Sequence, residues 1–273
     1  MVNLIDGKAL RDKILSELKQ EIKQKNLTPT LAIVLVGKDE ASLRYIKQKQ
    51  KAAEEIGAQT KLIQLPESVS QEAIEEEIKR LNEAKEVDGI IVQLPLPETI
   101  DKEKVLQIIK KIKDVDGFVK DSPYKEAAAA GIIELLREYK VPVKGNTAVV
   151  LGSSGLVGAP TVRLLQEKGA QVIEIDENTP QPYTDLVRNG DIVVSAVGKI
   201  NLVTADMIKK GAVVIDAGTN FNPETGKLVG DVDFENVSEK ASLITPVPGG
   251  VGPMTVASLM KNLVSAASMR HGF

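Results

Sequence analysis

There is no cysteine in the 273 residues, no tryptophan, and a single histidine, His271. The missing cysteines exclude disulfides, thiolate metal sites and a cysteine nucleophile, and they fit a reducing compartment. Because the one histidine sits in the C-terminal tail, a Ser-His-Asp relay or a histidine metal cluster has nothing firm to stand on. No metal is expected, and acid–base chemistry falls to Lys, Asp, Glu or Tyr. An excess of one charge is also lacking: 35 basic residues face 38 acidic ones, for a formal charge of −3. No field of that size gathers nucleic acid or acidic lipid. Long apolar runs are absent too, since none approaches the ~20 residues that span a membrane, and the opening M-V-N-L-I-D-G-K meets an acid at Asp6 without an apolar signal core. The expectation is a cytoplasmic protein with no nucleic-acid or membrane partner, acting on small molecules or pairing with its own copy.

What is present alternates strand and helix. The length suggests two domains or one large α/β unit. Leu10, Ile14, Leu18 and Ile22 make one stripe of an amphipathic helix after Asp6, a plausible N-cap. Leu31–Val36, Lys61–Leu65 and Gly89–Leu94 read as buried parallel strands, with helices predicted at about 41–56, 70–84 and 101–113. After a helix at 127–139, four strand-like runs at 148–151, 171–175, 192–197 and 212–215 form the pattern of a Rossmann-type unit, and a further run at 243–244 precedes a last helix over about 255–269.

The stretch G-N-T-A-V-V-L-G-S-S-G-L-V-G-A-P, residues 145–160, predicts a strand, a glycine turn and a helix. Gly152, Gly155 and Gly158 let the backbone approach an anion, and the helix start supplies free N–H groups. The spacing is G-x-x-G-x-x-G instead of the usual G-x-G-x-x-G, so the turn alone supports a nucleotide site only loosely, and a tight turn without ligand fits it as well.

Three further stretches bear on chemistry. At helical spacing Tyr45, Lys49, Ala52 and Ile56 share one stripe, while Lys47 and Lys51 point elsewhere. A lysine on such a sheltered face loses ammonium stability and becomes a usable base, although a snorkelling side chain gives the same pattern. In D-G-I-I-V-Q-L-P-L-P, Gln93 interrupts an apolar run at the C-terminal end of a strand, where parallel sheets place ligand contacts, or else it is a buried amide satisfied by backbone. Asp114 and Asp116 in K-D-V-D-G-F fit turn formers ahead of Gly117, the better reading for at least one of them, with ligand binding by one as the alternative. The Gly and Pro of residues 246–253 make a rigid backbone surface suited to a flat ligand or to a tight connection.

Together these stretches resemble the bifunctional methylenetetrahydrofolate dehydrogenase/methenyltetrahydrofolate cyclohydrolase family. Ser42 with Tyr45-x-x-x-Lys49, Q-L-P-L-P, K-D-V-D-G-F, the glycine turn with V-G-A-P, V-V-I-D-A-G, V-G-D-V and I-T-P-V-P-G-G-V-G-P-M-T stand in family order over nearly the whole chain. The resemblance implies an α/β subunit with a cleft: an N-terminal folate domain, 1–120, joined by 250–273 packing back on it, and a Rossmann-like dinucleotide domain, 121–249. It implies a homodimer acting on tetrahydrofolate one-carbon derivatives. By the same resemblance Tyr45 stacks on the pterin–aminobenzoate system, Lys49 transfers protons, Gln93 tunes Lys49 and Asp116 grips the pterin edge. Val92, Leu94, Pro248, Gly249, Gly250, Val251 and Gly252 line the folate pocket. Gly152, Ser153, Ser154, Gly155 and Gly158 meet the nucleotide, with Thr219 near the nicotinamide.

The departures lie on the cofactor side. The loop before Gly131 is shorter than in relatives and lacks their P-C-T-P, Ser153 stands where many have Arg, and the acids Asp176 and Glu177 replace a polar or basic cluster. The family implies NADP, whereas an acid at this strand end accepts from a ribose 2′-hydroxyl and repels a 2′-phosphate, which favours NAD. These departures prompt one alternative, a cyclohydrolase with impaired dinucleotide binding; the absent Cys and Trp, the single His and the alanine run at 127–130 prompt another, an inactive or engineered scaffold of the same fold.

Overall fold

The computed structural model describes residues 3–223 and 225–272. Its elements in chain order are α1 (Gly7–Gln24), β1 (Thr30–Val36), α2 (Glu40–Ile56), β2 (Gln59–Leu65), α3 (Gln71–Glu83), β3 (Gly89–Val92), α4 (Lys102–Gln107), α5 (Ala127–Glu138), β4 (Thr147–Leu151), α6 (Gly158–Glu167), β5 (Gln171–Ile175), α7 (Thr184–Arg188), β6 (Ile192–Ser195), β7 (Val213–Asp216), β8 (Asn220–Asn222), β9 (Lys227–Val229), α8 (Phe234–Ser238), β10 (Leu243–Ile244) and α9 (Val251–Arg270). Two compact units result. One joins Asp12–Ala127 to the chain from Val256 onwards, and the other joins the chain up to Arg11 to Ala128–Thr255. Among the described residues no helix is long and apolar enough to cross a membrane.

In the first unit a three-stranded parallel sheet has the order β2-β1-β3. β1 is central and buried at every position, which fits the continuous apolar run that follows Thr30. β2 is an edge strand with no buried residue, not the doubly buried strand its apolar residues suggested. Ile74, Ile78 and Leu81 of α3 close one face over Ala32, Val34 and Ile90. The helix expected over 101–113 breaks after Gln107. The buried Asn82 explains the break, because its amide donates to Ile108 O at 2.8 Å and accepts from Lys110 N at 2.8 Å, taking backbone groups a helix would use. α9 returns to this unit, where Asn262 Nδ2 donates to Val115 O at 2.9 Å and Arg270 pairs with the buried Asp88 at 2.7 Å.

The second unit holds five parallel strands in the order β10-β7-β6-β4-β5. The chain runs from β4 outwards to the edge strand β5 and then back across to β6, so the carboxyl end of β4 is the switch point of a doubly wound sheet. Ile5 N donates to Ile244 O at 2.8 Å, which ties the first described residues to β10 and not to the sheet of the first unit. The strand expected over 192–197 ends at Ser195, because the Val197 N–H turns to the Asp231 carboxylate at 2.8 Å. The last helix starts at Val251, earlier than expected, with Pro253 in its first turn, where a missing N–H costs no helical bond. The β8–β9 hairpin carries no sequence signal strong enough to have been expected.

Candidate active site

α2 presents the lysine. Asp39 caps the helix by accepting from Ser42 N at 2.6 Å, and Gly57 ends it in the left-handed region at φ 88°. Ala52 and Ile56 are fully buried, Tyr45 and Lys49 on the same stripe are half-buried, and Lys47 and Lys51 are exposed. β3 presents the amide: Gln93 N continues the sheet by donating to Val34 O at 2.8 Å, and its side chain is buried at the strand's carboxyl end. The two meet, with Lys49 Nζ donating to Gln93 Oε1 at 3.1 Å. Gln93 Nε2 donates to Leu94 O at 2.8 Å, and Ser42 Oγ reaches the same carbonyl at 3.5 Å.

Burial pushes the Lys49 ammonium below the usual lysine range, and the Asp116 carboxylate acts against that shift. Burial likewise pushes the Asp116 carboxyl up, opposed by Lys49. Each charge is therefore sustained by the other in a site that favours neutral forms. Asp114 has a different task. Its carboxylate accepts from Gly117 N, Phe118 N and Val119 N at 3.2, 3.2 and 2.8 Å, which shapes the turn that carries Asp116.

In the second unit the glycine turn is sterically required. Gly152 has φ 80°, and a Cβ there would lie 2.5 Å from Ala196 O; a Cβ on Gly158 would lie 1.9 Å from Gly152 O. Gly152 N and Ser153 N both donate to Ile175 O, at 2.8 and 3.1 Å, so the turn is pinned to the end of β5. A cavity of about 340 Å³ opens at the carboxyl ends of β4, β5 and β6. Gly152, Ser154 and Gly155 line it on one side, Asp176, Glu177 and Thr179 on another, and Val197 and Lys199 follow from the end of β6. Ser154 Oγ donates to Glu177 Oε2 at 3.0 Å, while Asp176 Oδ1 accepts from Asn178 N at 2.9 Å and Thr179 Oγ1 at 3.2 Å. A glycine wall, the start of α6 and a cavity at the switch point fit a dinucleotide.

The comparisons agree with both halves. The model described as the tetrahydrofolate dehydrogenase/cyclohydrolase catalytic domain matches residues 5–116, and that described as the NAD(P)-binding domain of the same enzymes matches residues 126–271. This chain belongs to the tetrahydrofolate dehydrogenase/cyclohydrolase family. A bifunctional protein FolD from Nitratiruptor sp. is 45% identical over an alignment of 285 positions that covers 98% of this chain and 99% of that protein. The crystal structure of the bifunctional enzyme FolD from Campylobacter jejuni matches with a TM-score of 0.94 at 42% identity, covering 98% of this chain and 99% of that one. The Trypanosoma brucei enzyme, in complex with NADP and an inhibitor, matches with a TM-score of 0.94 at 38% identity, covering 99% of this chain and 98% of that one.

Within this tetrahydrofolate dehydrogenase/cyclohydrolase, the first unit brings Lys49 and Gln93 into contact, places Asp116 within electrostatic reach, and sets Tyr45 one turn before Lys49 on α2. Val92 is the last residue of β3, and Leu94 precedes a cis Pro95. In the NAD(P)-binding unit Ser153 is buried behind the turn, Gly158 packs against Gly152, and Thr219 is exposed; none of these three lines the cavity. Pro248 follows a cis bond, Gly249 has φ 122°, and a Cβ on Gly250 would lie 2.6 Å from Thr245 Cβ. Val251 and Gly252 open α9. Sequence reasoning passed over Lys199, although its place just after β6, at a strand's carboxyl end, is itself a signal.

Proposed function

We propose that Lys49 is the proton-transfer group, and Gln93 its positioning partner, of an enzyme that oxidises 5,10-methylene-tetrahydrofolate to 5,10-methenyl-tetrahydrofolate and hydrolyses the latter to 10-formyl-tetrahydrofolate. Dehydrogenase and cyclohydrolase are the activities of the family, and its two domains match residues 5–116 and 126–271 of this chain. The observation that carries the assignment of roles is the 3.1 Å bond from Lys49 to Gln93 at a carboxyl strand end.

In the hydrolysis, water attacks the methenyl carbon and Lys49 takes its proton as the C–O bond forms. Collapse of the tetrahedral carbon breaks its bond to N5, N5 takes a proton that the Lys49 ammonium can return, and the hydroxyl proton leaves, so one proton is released overall. A depressed lysine pKa suits this task, since the neutral amine must be populated near neutral pH. Tyr45 is assigned to stacking on the folate ring system and Asp116 to its pterin edge, by resemblance.

A bound nicotinamide dinucleotide supplies the hydride acceptor of the oxidation. Gly152, Ser154, Gly155 and the start of α6 are the groups suited to its phosphates. Asp176 and Glu177 at the end of β5 support NAD over NADP, because their carboxylates would repel a 2′-phosphate. Titration of both dinucleotides checks the preference, and NADP binding tenfold tighter than NAD would overturn it. By resemblance the working form is a homodimer, which sedimentation of the full chain tests. Separate assays of the two reactions test the main reading: both activities are expected, and a purified, folded chain lacking either would refute it.

A further inference from the structure

Two buried aspartates, Asp216 of V-V-I-D-A-G and Asp231 of V-G-D-V, stand outside the cavity wall. They interlock. The Asp216 carboxylate accepts from Gly218 N at 2.9 Å, Asp231 N at 3.0 Å and Val232 N at 2.9 Å. A Cβ on Gly218 would lie 2.1 Å from Asp231 Oδ1, and one on Gly230 would lie 1.8 Å from Asp216 Oδ2, so glycine is needed beside each carboxylate. Held in this way, the Asp231 carboxylate accepts from Ser195 Oγ at 2.9 Å, Val197 N at 2.8 Å, Gly198 N at 3.1 Å, Lys199 N at 2.9 Å and Asn220 Nδ2 at 3.0 Å.

Three consecutive backbone N–H groups, bent inwards with Gly198 at φ 81°, form the concave nest that commonly holds a phosphate or another anion. Here the anion is the protein's own carboxylate. Two of those donors, Val197 and Lys199, line the cavity. The internal carboxylate thus occupies the amides that could otherwise draw phosphate to the wrong wall, and it fixes the course of the chain as it leaves β6.

We propose that Asp231 is a positioning residue of the dinucleotide site: it fixes residues 197–199 so that Val197 and Lys199 face the nucleotide, and it leaves the glycine turn as the phosphate cradle. This rests on the dinucleotide reading of the cavity.

Asp231→Asn tests the proposal, because it keeps the side chain's size while setting an NH2 group among donors. NAD and NADP are titrated calorimetrically into wild type and variant, and hydrolysis of methenyl-tetrahydrofolate is measured without dinucleotide. The Kd of the tighter dinucleotide is expected to rise roughly tenfold or more, with kcat/KM of hydrolysis within about twofold of wild type, since Lys49 and Gln93 belong to the other unit. An unchanged Kd in the folded variant overturns the proposal, as does a parallel loss of affinity and hydrolysis, which marks a purely structural role. Should Asp231→Asn fail to fold, Asn220→Ala removes a single donor and carries the test, with a rise in Kd of about threefold expected and an unchanged Kd contradicting it. Wild type that binds neither dinucleotide overturns the reading of the cavity itself, and this role falls with it.

Discussion

Lys49 Nζ and Gln93 Oε1 lie 3.1 Å apart, and the orientation of that amide is set from behind, because Gln93 Nε2 donates to Leu94 O at 2.8 Å. With its NH2 group committed to a carbonyl, the amide has its oxygen to offer to the lysine. Gln93→Leu removes the acceptor without removing much volume and leaves the amine unoriented. The expected result is a 10- to 100-fold fall in kcat for hydrolysis, the order of one hydrogen bond to a charged group, with little change in KM. Steady-state hydrolysis of methenyl-tetrahydrofolate measures it, and an unaltered kcat would detach Gln93 from the mechanism.

Asp116 raises the Lys49 pKa against the effect of burial. Asp116→Asn removes that support, so the ammonium is lost at lower pH. The rising limb of the pH–kcat profile for hydrolysis, which reports formation of the neutral amine, is predicted to move towards acid in this variant. A shift towards alkali, or none, contradicts the electrostatic link between the two groups.

Glu177 is exposed at the mouth of the second-unit cavity and accepts from Ser154. Glu177→Lys exchanges a repulsive charge for an attractive one beside the expected ribose position. NADP affinity is predicted to rise about tenfold while NAD affinity changes less, as competitive titrations would register. Equal effects on the two dinucleotides would place Glu177 away from the 2′ position.

Burial raises the Asp216 pKa from 3.8 to about 6 although backbone N–H groups stabilise its charge. The native state therefore holds this proton at pH values where the unfolded chain has released it. Its stabilising contribution is full below pH 3.8 and is lost as pH rises through about 6, a change on the order of 3 kcal/mol. Carboxylates with lowered pKa, such as Glu83 and Asp191, give the opposite slope, so the difference between wild type and Asp216→Asn is the informative quantity. Denaturant unfolding at several pH values is expected to show wild type losing stability relative to the variant between about pH 4 and pH 6. A constant difference would mean that Asp216 is ionised throughout.

The parts of this architecture that depend on local pattern could be read from the chain. Central β1 is a continuous apolar run, the stripe through Lys49 marks a half-sheltered helix face, and Gly152 and Gly158 sit where a Cβ would strike backbone. What escaped depends on partners distant in sequence. The break after α4 is made by Asn82, which stands 28 residues before Lys110, and the order of the loop after β6 comes from Asp231, 34 residues beyond Val197. Neither residue type announces such a role, since Asn and Asp are ordinary turn and surface residues until tertiary packing buries them. Asp114 and Asp116 illustrate the same limit: two aspartates separated by a single residue read alike, and only the folded turn commits Asp114 to backbone amides and brings Asp116 within electrostatic reach of Lys49.

The central claim is that Lys49 performs the proton transfer of hydrolysis, and Lys49→Met tests it most directly, because methionine keeps much of the side chain's length and apolar contact while removing the amine. The measurement is the loss of methenyl-tetrahydrofolate absorbance without dinucleotide, run beside thermal unfolding and dinucleotide titration of the same preparation. The account predicts hydrolysis reduced to the uncatalysed rate, a fall of at least about 100-fold, with folding and dinucleotide binding retained. Hydrolysis at near wild-type rate in the folded variant would contradict it.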